Sequence, residues 1–326
     1  MNENQNRVRN NFSRKLSLTR FLPVIALLLS ACALRAPSPE AFSFAAMGDT
    51  PYSDREEAHF LDMMKRVDAE PVEFVIHVGD LKSGASDCTD ELFVTRRKQF
   101  DDSAHPFIFT PGDNEWTDCR FNKPRKRDPL ERLAKLREVF FSEPQSLGRS
   151  RIPTAMQGMS EGACGAYPEN RAWTRAGVRF VTLNVPGSHN NVGFDAASDA
   201  EARCRNAANG RWLERAVAET ESPAMRGLVI AIQADPWDSK KNVYGELRAQ
   251  IQAAAVRLRK PVLFVHGDTH LYRFDTPFRN ASGDPIANLQ RLEVYGSPAV
   301  GWVKVDVDPA GPELFRVAPH LQAIVP

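Results

Sequence analysis

Six short apolar runs punctuate the chain, at Phe42–Met47 and at residues 72–78, 106–110, 178–185, 228–233 and 261–266. Each is rich in β-branched or aromatic residues and apolar on both faces, the pattern of strands in a sheet covered on both sides. Segments of helical period lie between them. Ser53 and Glu56 stand three apart ahead of a stripe of Phe60, Met63, Met64 and Val67, which predicts a helix opened by a capping box. Asp128-Pro129 opens a second helix, with proline at its first position and Leu133, Leu136 and Phe140 facing inward. A third carries Leu247, Ile251, Ala254 and Leu258 and stops before Pro261. These stripes read as core. Near the C-terminus the period changes. Residues 291–295, 302–307 and 313–317 read as strands, the last two joined across the turn Asp308-Pro309-Ala310-Gly311. Residues 143–177 carry Gly and Pro throughout and read as an irregular loop. The order is βαβα followed by a β-rich end, an α/β fold.

The first forty residues set the compartment. Arg7, Arg9, Arg14, Lys15 and Arg20 precede a short apolar run over residues 21–29, too short to span a bilayer and the right length for a signal-peptide core. The run ends in Leu29-Ser30-Ala31-Cys32, which resembles the lipobox of bacterial lipoproteins, where the cysteine is acylated and becomes the first mature residue. An ordinary cleaved signal with a chance cysteine is the alternative. Ala33 after the cysteine is similar to the outer-membrane-sorted form. The expected organisation is a signal peptide over residues 1–31, a tether over 32–41 with Pro37 and Pro39, and one domain over 42–326. The expected location is lipid-anchored in the envelope, on the outer membrane facing the periplasm. Loss of the leader removes five basic residues and Glu3, taking the net charge from +1 to −3. That balance gives no global attraction for nucleic acid, and none is expected as a partner. Four further cysteines remain, Cys88, Cys119, Cys164 and Cys204, an even number that suits two disulfides. Of the three connectivities, Cys88–Cys119 with Cys164–Cys204 is preferred because each pair staples neighbouring loops.

Candidate chemistry lies where the runs end. The motifs Gly48-Asp49, Gly79-Asp80, Gly112-Asp113-Asn114-Glu115 and Gly267-Asp268-Thr269-His270 each follow a predicted strand. A lone Gly-Asp is a common turn. Four in order, each at the carboxyl end of a strand where α/β sheets bind ligands, predict a divalent-cation site.

In these motifs the chain resembles the calcineurin-like metallophosphoesterases, from about Ala45 to Arg273. The resemblance implies a four-layer α-β-β-α sandwich with two mixed sheets. It implies Asp49, Asp80, Asn114, Asp268 and His270 as metal ligands, with Asp80 bridging two ions and Gln233 standing in for a missing histidine, Asp235 being next in line. In that family a metal-bound hydroxide attacks phosphorus in line. The departures are specific: Pro51, Glu115 and Asp268 stand where the family carries histidines. Replacing imidazole by carboxylate and amide favours a hard cation, Mn²⁺ or Mg²⁺, as one ion or two. Glu115 is the first candidate for general acid and His189 the second. Tyr52 reads more readily as packing than as a ligand, His77 as a hydrogen-bonded interior histidine, and His266 as either strand packing or support for the site. The run Arg120, Lys123, Arg125, Lys126 and Arg127 is either a solvated loop or a cradle for an anionic substrate. His59, His105 and His320 are unassigned. The implied function is metal-dependent hydrolysis of a small phosphorylated substrate. The alternatives are a non-catalytic envelope lipoprotein that kept the fold as a binding module, and a metalloenzyme with another substrate.

Overall fold

The computed structural model describes residues 40–325, except 123–124, 160–163 and 238–241. The predicted leader, Cys32, most of the tether and Lys123 lie outside the described residues.

Strand β1 (Phe42–Met47) shows how alternation builds the layers. Phe42, Phe44 and Ala46 face one apolar cluster, and Ala45 and Met47 face another. β1 pairs in parallel with β2 (Val75–His77), and β2 with β3 (Phe107–Phe109). On its other side β1 runs antiparallel to β11 (Ala299–Val307), which hairpins into β12 (Phe315–Ile324) across the expected turn. The order of this sheet is β12-β11-β1-β2-β3.

The second sheet has the order β4-β5-β6-β7-β8-β10-β9. Its centre is parallel: β6 (Val178–Thr182), β7 (Gly227–Ala231), β8 (Val262–His266) and β10 (Leu289–Glu293). Antiparallel strands flank them, β4 (Ala155–Gln157) and β5 (Tyr167–Arg175) at one edge, β9 (Arg273–Asp275) at the other. Both sheets are therefore mixed.

Three clusters of buried side chains separate four layers. Phe44, Phe74, Phe180, Val229, Leu263 and Val303 fill the space between the sheets. Phe44, Phe74 and Phe180 meet there at ring centroids 5.1–5.5 Å apart, each burial worth about 1.5–3 kcal/mol. Helices α1 (Asp54–Asp68), α2 (Asp90–Asp101) and α3 (Pro129–Phe140) cover the first sheet through Phe60, Phe93 and Phe140. Helices α5 (Ala196–Thr220) and α6 (Gly245–Leu258) cover the second through Trp212, Leu213 and Ile251. The short turn α4 (Gly187–Asn190) lies between β6 and α5.

Several local expectations change. Ser53 Oγ accepts from Glu56 N at 3.3 Å, but Glu56 does not return the bond; its carboxylate accepts from Tyr52 N (2.7 Å) and Ser297 Oγ (2.5 Å). The box is half formed, and its second half ties the start of α1 to the loop before β11. Residues 143–177 are not wholly irregular, because β4 and β5 lie within them. Helices α2 and α5 also go beyond the three predicted helices. Both cysteine pairs form as expected, Cys88–Cys119 and Cys164–Cys204, which fits an oxidising, extracytoplasmic compartment. No helix among the described residues is long and apolar enough to cross a membrane.

Candidate metal centre

The carboxyl ends of β1, β2, β3, β7 and β8 meet at one edge of the two sheets. Asp49 N donates to Gly79 O (2.9 Å), and Gly267 N to Gln233 O (3.0 Å). Asp268 N donates to both oxygens of Asp49, at 3.1 and 3.2 Å. Gln233 Nε2 reaches Asp80 Oδ2 and Asp268 Oδ1, each at 3.3 Å, while its own Oε1 accepts from Gly187 N at 2.6 Å. Asp80 Oδ1 accepts from Asn114 N (3.1 Å), and Oδ2 from Asn114 Nδ2 (2.9 Å) and Tyr52 OH (2.9 Å). His270 completes the ring. Its Nδ1–H donates to Ser297 O at 2.6 Å, which turns Nε2 toward Tyr52 OH (3.3 Å) and Asp49 Oδ1 (3.8 Å). A histidine anchored through one nitrogen with the other facing carboxylates has the arrangement of a metal ligand.

Glycine makes this crowding possible. A Cβ on Gly112 would stand 2.1 Å from Asp80 Oδ1, and one on Gly267 would stand 1.9 Å from Asp49 Oδ2. The expected ligands also hold unusual backbone. Asp49, Asp80, Asp268 and His270 all have positive φ, at 50°, 57°, 78° and 64°. Such conformations cost about 1–3 kcal/mol each and concentrate at functional sites.

The charge balance points the same way. Burial, reinforced by neighbouring carboxylates, pushes Asp49, Asp80 and Asp113 well above the usual carboxylate range, and burial raises Asp268 and Glu115 too. Asp113 Oδ1 and Glu115 Oε2 are buried without a hydrogen-bond partner among the described residues. Lys82 is buried at the border, its ammonium donating to Ser83 O at 2.7 Å. One lysine leaves several aspartates uncompensated, so the carboxylate oxygens of Asp49, Asp80, Asp113 and Asp268 fit a hard divalent cation, whereas Asn114 and Gln233 present amide nitrogens to those carboxylates rather than oxygens.

Solved structures share this architecture. The chain is similar to a dimetal phosphatase from Danio rerio, at 12% identity and a TM-score of 0.50, over 86% of this chain and 99% of that one. It is also similar to GAP50, the anchor in the inner membrane complex of Plasmodium, at 9% identity and a TM-score of 0.49, over 86% and 89%. The fold is that of the metallophosphoesterases. No protein-family model matches the sequence, and neither does any curated protein.

Around the centre some sequence expectations need correction. Tyr52 is not mere packing: its hydroxyl bridges Asp80, Asn114 (3.0 Å) and His270, and burial among carboxylates holds the phenol protonated. Asp113, not among the expected ligands, lies at the centre: a Cβ on Gly187 would stand 3.0 Å from its Oδ1 and 2.6 Å from Asp268 Oδ1. The signal was present, since Asp113 is the aspartate of its own Gly-Asp turn. Glu115 is fully buried, with Oε1 accepting from Leu81 N at 2.9 Å. His189 is half-buried in a run of left-handed residues, 188–191, with φ between 43° and 62°. Within the basic run two residues are engaged by the protein, while Arg125 and Lys126 are exposed. Arg120 lies 3.9 Å over the Phe194 ring and hydrogen-bonds Asn191, and Arg127 pairs with Asp87 at 3.2 Å. His77 is the buried, hydrogen-bonded interior residue expected of it.

A second cluster was not foreseen as a unit. Asp235, His266 and Glu293 are buried with one ligand atom of each within 4.8 Å of the others, a triad that could hold a metal ion. They follow or end β7, β8 and β10, three neighbouring strands. Asp235 and His266 stand in the sequence as separate candidates, and nothing in the spacing singles out Glu293.

Proposed function

We propose that this chain is a metal-dependent phosphoester hydrolase of the bacterial envelope, exported by its leader and held at the membrane through lipid on Cys32. Asp49, Asp80, Asp268 and His270, joined by Asp113, bind one or two hard divalent ions, Mn²⁺ or Mg²⁺, while Asn114 and Gln233, expected as ligands, instead hold Asp80 and Asp268 through their amide nitrogens. The observation that carries this reading is the gathering of buried aspartates from separate strand ends, one with an unpartnered oxygen, on a fold shared with a dimetal phosphatase.

When bound, such ions supply Lewis acidity and a nucleophile at neutral pH. The chain's own residues do the rest. Tyr52 and Asn114 fix the Asp80 carboxylate through both oxygens, and Ser297 orients His270. Glu115 holds the backbone after Asp80 through Leu81 N, a positioning role in place of the acid role expected of it. His189, part-exposed beside Ser188, is the remaining candidate to protonate a leaving oxygen. The substrate is a small phosphorylated molecule.

The test is hydrolysis of chromogenic phosphate mono- and diesters by the chain from Ala33 onward, with and without Mn²⁺, beside Asp80→Ala. Manganese-dependent turnover that vanishes in Asp80→Ala is the expected result. No turnover and no retained Mn²⁺ in the folded wild type would favour a non-catalytic envelope lipoprotein, which Pro51 in a histidine position and the burial of Glu115 would then explain.

A further inference from the structure

We propose that Asp235, His266 and Glu293 form a second, separate binding site for one borderline transition-metal ion of the Zn²⁺ type, with Arg273 as its resident stand-in cation. The site lies behind the loop that carries Asp268 and His270. It deepens the reading above only by adjacency, and its test does not depend on catalysis.

The argument begins with His266. Its Nδ1 lies 2.8 Å from Gly267 O, so the ring proton sits there and the lone pair is on Nε2. That nitrogen is fully buried and has no hydrogen-bond partner among the described residues. The neighbouring ligand atoms are carboxylate oxygens of Asp235 and Glu293, which are acceptors too. Three acceptors turned toward one point call for a positive or donating group between them, and a metal ion is one that takes all three at once. An imidazole whose other nitrogen donates to a backbone carbonyl has the usual outer-shell arrangement of a metal-ligating histidine.

The groups already present fill that role poorly. Arg273 Nε lies 2.7 Å from Glu293 Oε2, yet each of these atoms lacks an aligned hydrogen bond. Arg273 is one-third exposed, with Nη2 donating to Thr269 Oγ1 at 2.6 Å. Arg291 is neutralised elsewhere, bidentate on Asp275 at 2.8 and 2.6 Å, and stands 3.9 Å from Asp235. If Arg273 swings outward, two carboxylates and a neutral imidazole remain, a charge of −2 that one divalent ion balances. Its departure also opens an entry path. One nitrogen and two oxygens favour zinc-type ions over magnesium, and three protein ligands leave a fourth position open. Tetrahedral zinc donors stand about 3.4 Å apart, so the triad needs only a modest contraction.

An ion there would clamp β7, β8 and β10 at their carboxyl ends. Asp235 N already donates to Asp268 Oδ2 at 3.1 Å, and Glu293 Oε1 accepts from Thr269 Oγ1. The consequence is a stiffer 267–271 loop.

The experiment uses the purified full chain in mild detergent, stripped with chelator and titrated with Zn²⁺, and with Co²⁺ for its visible absorption. Asp80→Ala disables the first centre and isolates the second. In that background one equivalent of Zn²⁺ should still bind, with a cobalt spectrum that shows nitrogen ligation. Adding His266→Gln should weaken binding at least tenfold, and adding Arg273→Met should tighten it. Arg273→Met keeps all three ligands, so it serves as the informative variant should His266→Gln fail to fold. An Asp80→Ala protein that binds no zinc, with or without Arg273→Met, overturns the proposal, whatever the outcome for phosphoester hydrolysis.

Discussion

His77 shows what a single buried side chain adds to the site and to the pH response. Its Nδ1 accepts from Gly79 N at 3.2 Å and its Nε2–H donates to Thr50 O at 3.3 Å, so it links the backbones beside Asp80 and Asp49. Burial among Phe100, Phe107 and Phe109 lowers its pKa to about 3. The unfolded chain titrates near about 6.5 and so binds more protons between these values. The stability it contributes is full above about pH 6.5 and is lost as pH falls toward 3, at up to about 1.4 kcal/mol per pH unit. His77→Gln should therefore lower stability at pH 7 yet flatten its decline from pH 6.5 to 4. Urea midpoints for both proteins across that range decide it; parallel curves would rule the role out. At this scale the sequence was informative where chemistry and strand ends coincide. Asp49, Asp80, Asn114 and Asp268 meet because each follows a strand in the same orientation. The contacts of Tyr52 and Glu115 could not be read from the sequence, because direction of the side chain, inward or toward the cavity, is set by tertiary packing and leaves no mark on spacing.

Helices α2 and α5 and strand β5 share one reason for escaping a pattern reading. Their buried faces carry polar residues that interrupt the apolar stripe: Arg96 in α2, Arg205 and Asn209 in α5, and Glu169, Asn170 and Arg171 in β5. Periodicity finds elements that bury hydrocarbon, and these bury hydrogen-bonding networks instead. Arg205 is the clearest case. Fully buried, it donates to Asn184 O (3.0 Å), Asn190 Oδ1 (2.5 Å), Asn190 O (3.0 Å) and Glu201 Oε1 (2.7 Å), and stands 5.2 Å over Trp116. It thereby holds the left-handed run at residues 188–191 against its conformational cost, about 1–2 kcal/mol per residue. Arg205→Met should destabilise the protein by about 3–5 kcal/mol, since Glu201 and the Asn190 groups lose their partner. Denaturant titration gives that figure. Turnover measured under native conditions should also fall as Ser188 and His189 leave their places, and unchanged turnover in a destabilised variant would separate the turn from the chemistry.

For the molecule as a whole, the two disulfides make different demands. Cys88–Cys119 closes a loop of sequence separation 31 that contains α2, β3, Asp113, Asn114 and Glu115. Cys164–Cys204 ties the loop before β5 to α5, away from the expected ligands. Either bond is worth about 2–4 kcal/mol. Cys88→Ser should both lower the melting temperature and raise the Mn²⁺ concentration needed for half-maximal activity. Cys164→Ser should lower the melting temperature alone. The βαβα order with its β-rich end was legible in the alternation of apolar runs and helices and the four layers were implied by the family resemblance, whereas the pairing of β1 with β11 was not, because register across the chain depends on packing partners that no local window contains. That pairing has a kinetic consequence. Phe42 opposes Val307 and Ala46 opposes Val303, so the first strand of the domain finds one of its two neighbours only after the strands between them have been made. Contacts so distant along the chain form slowly. Until β11 arrives, β1 remains half-paired and the first sheet is open at its centre. A domain built this way cannot close its first sheet until the segment carrying Ala299–Val307 is present, so its earliest strand waits longest for its partner.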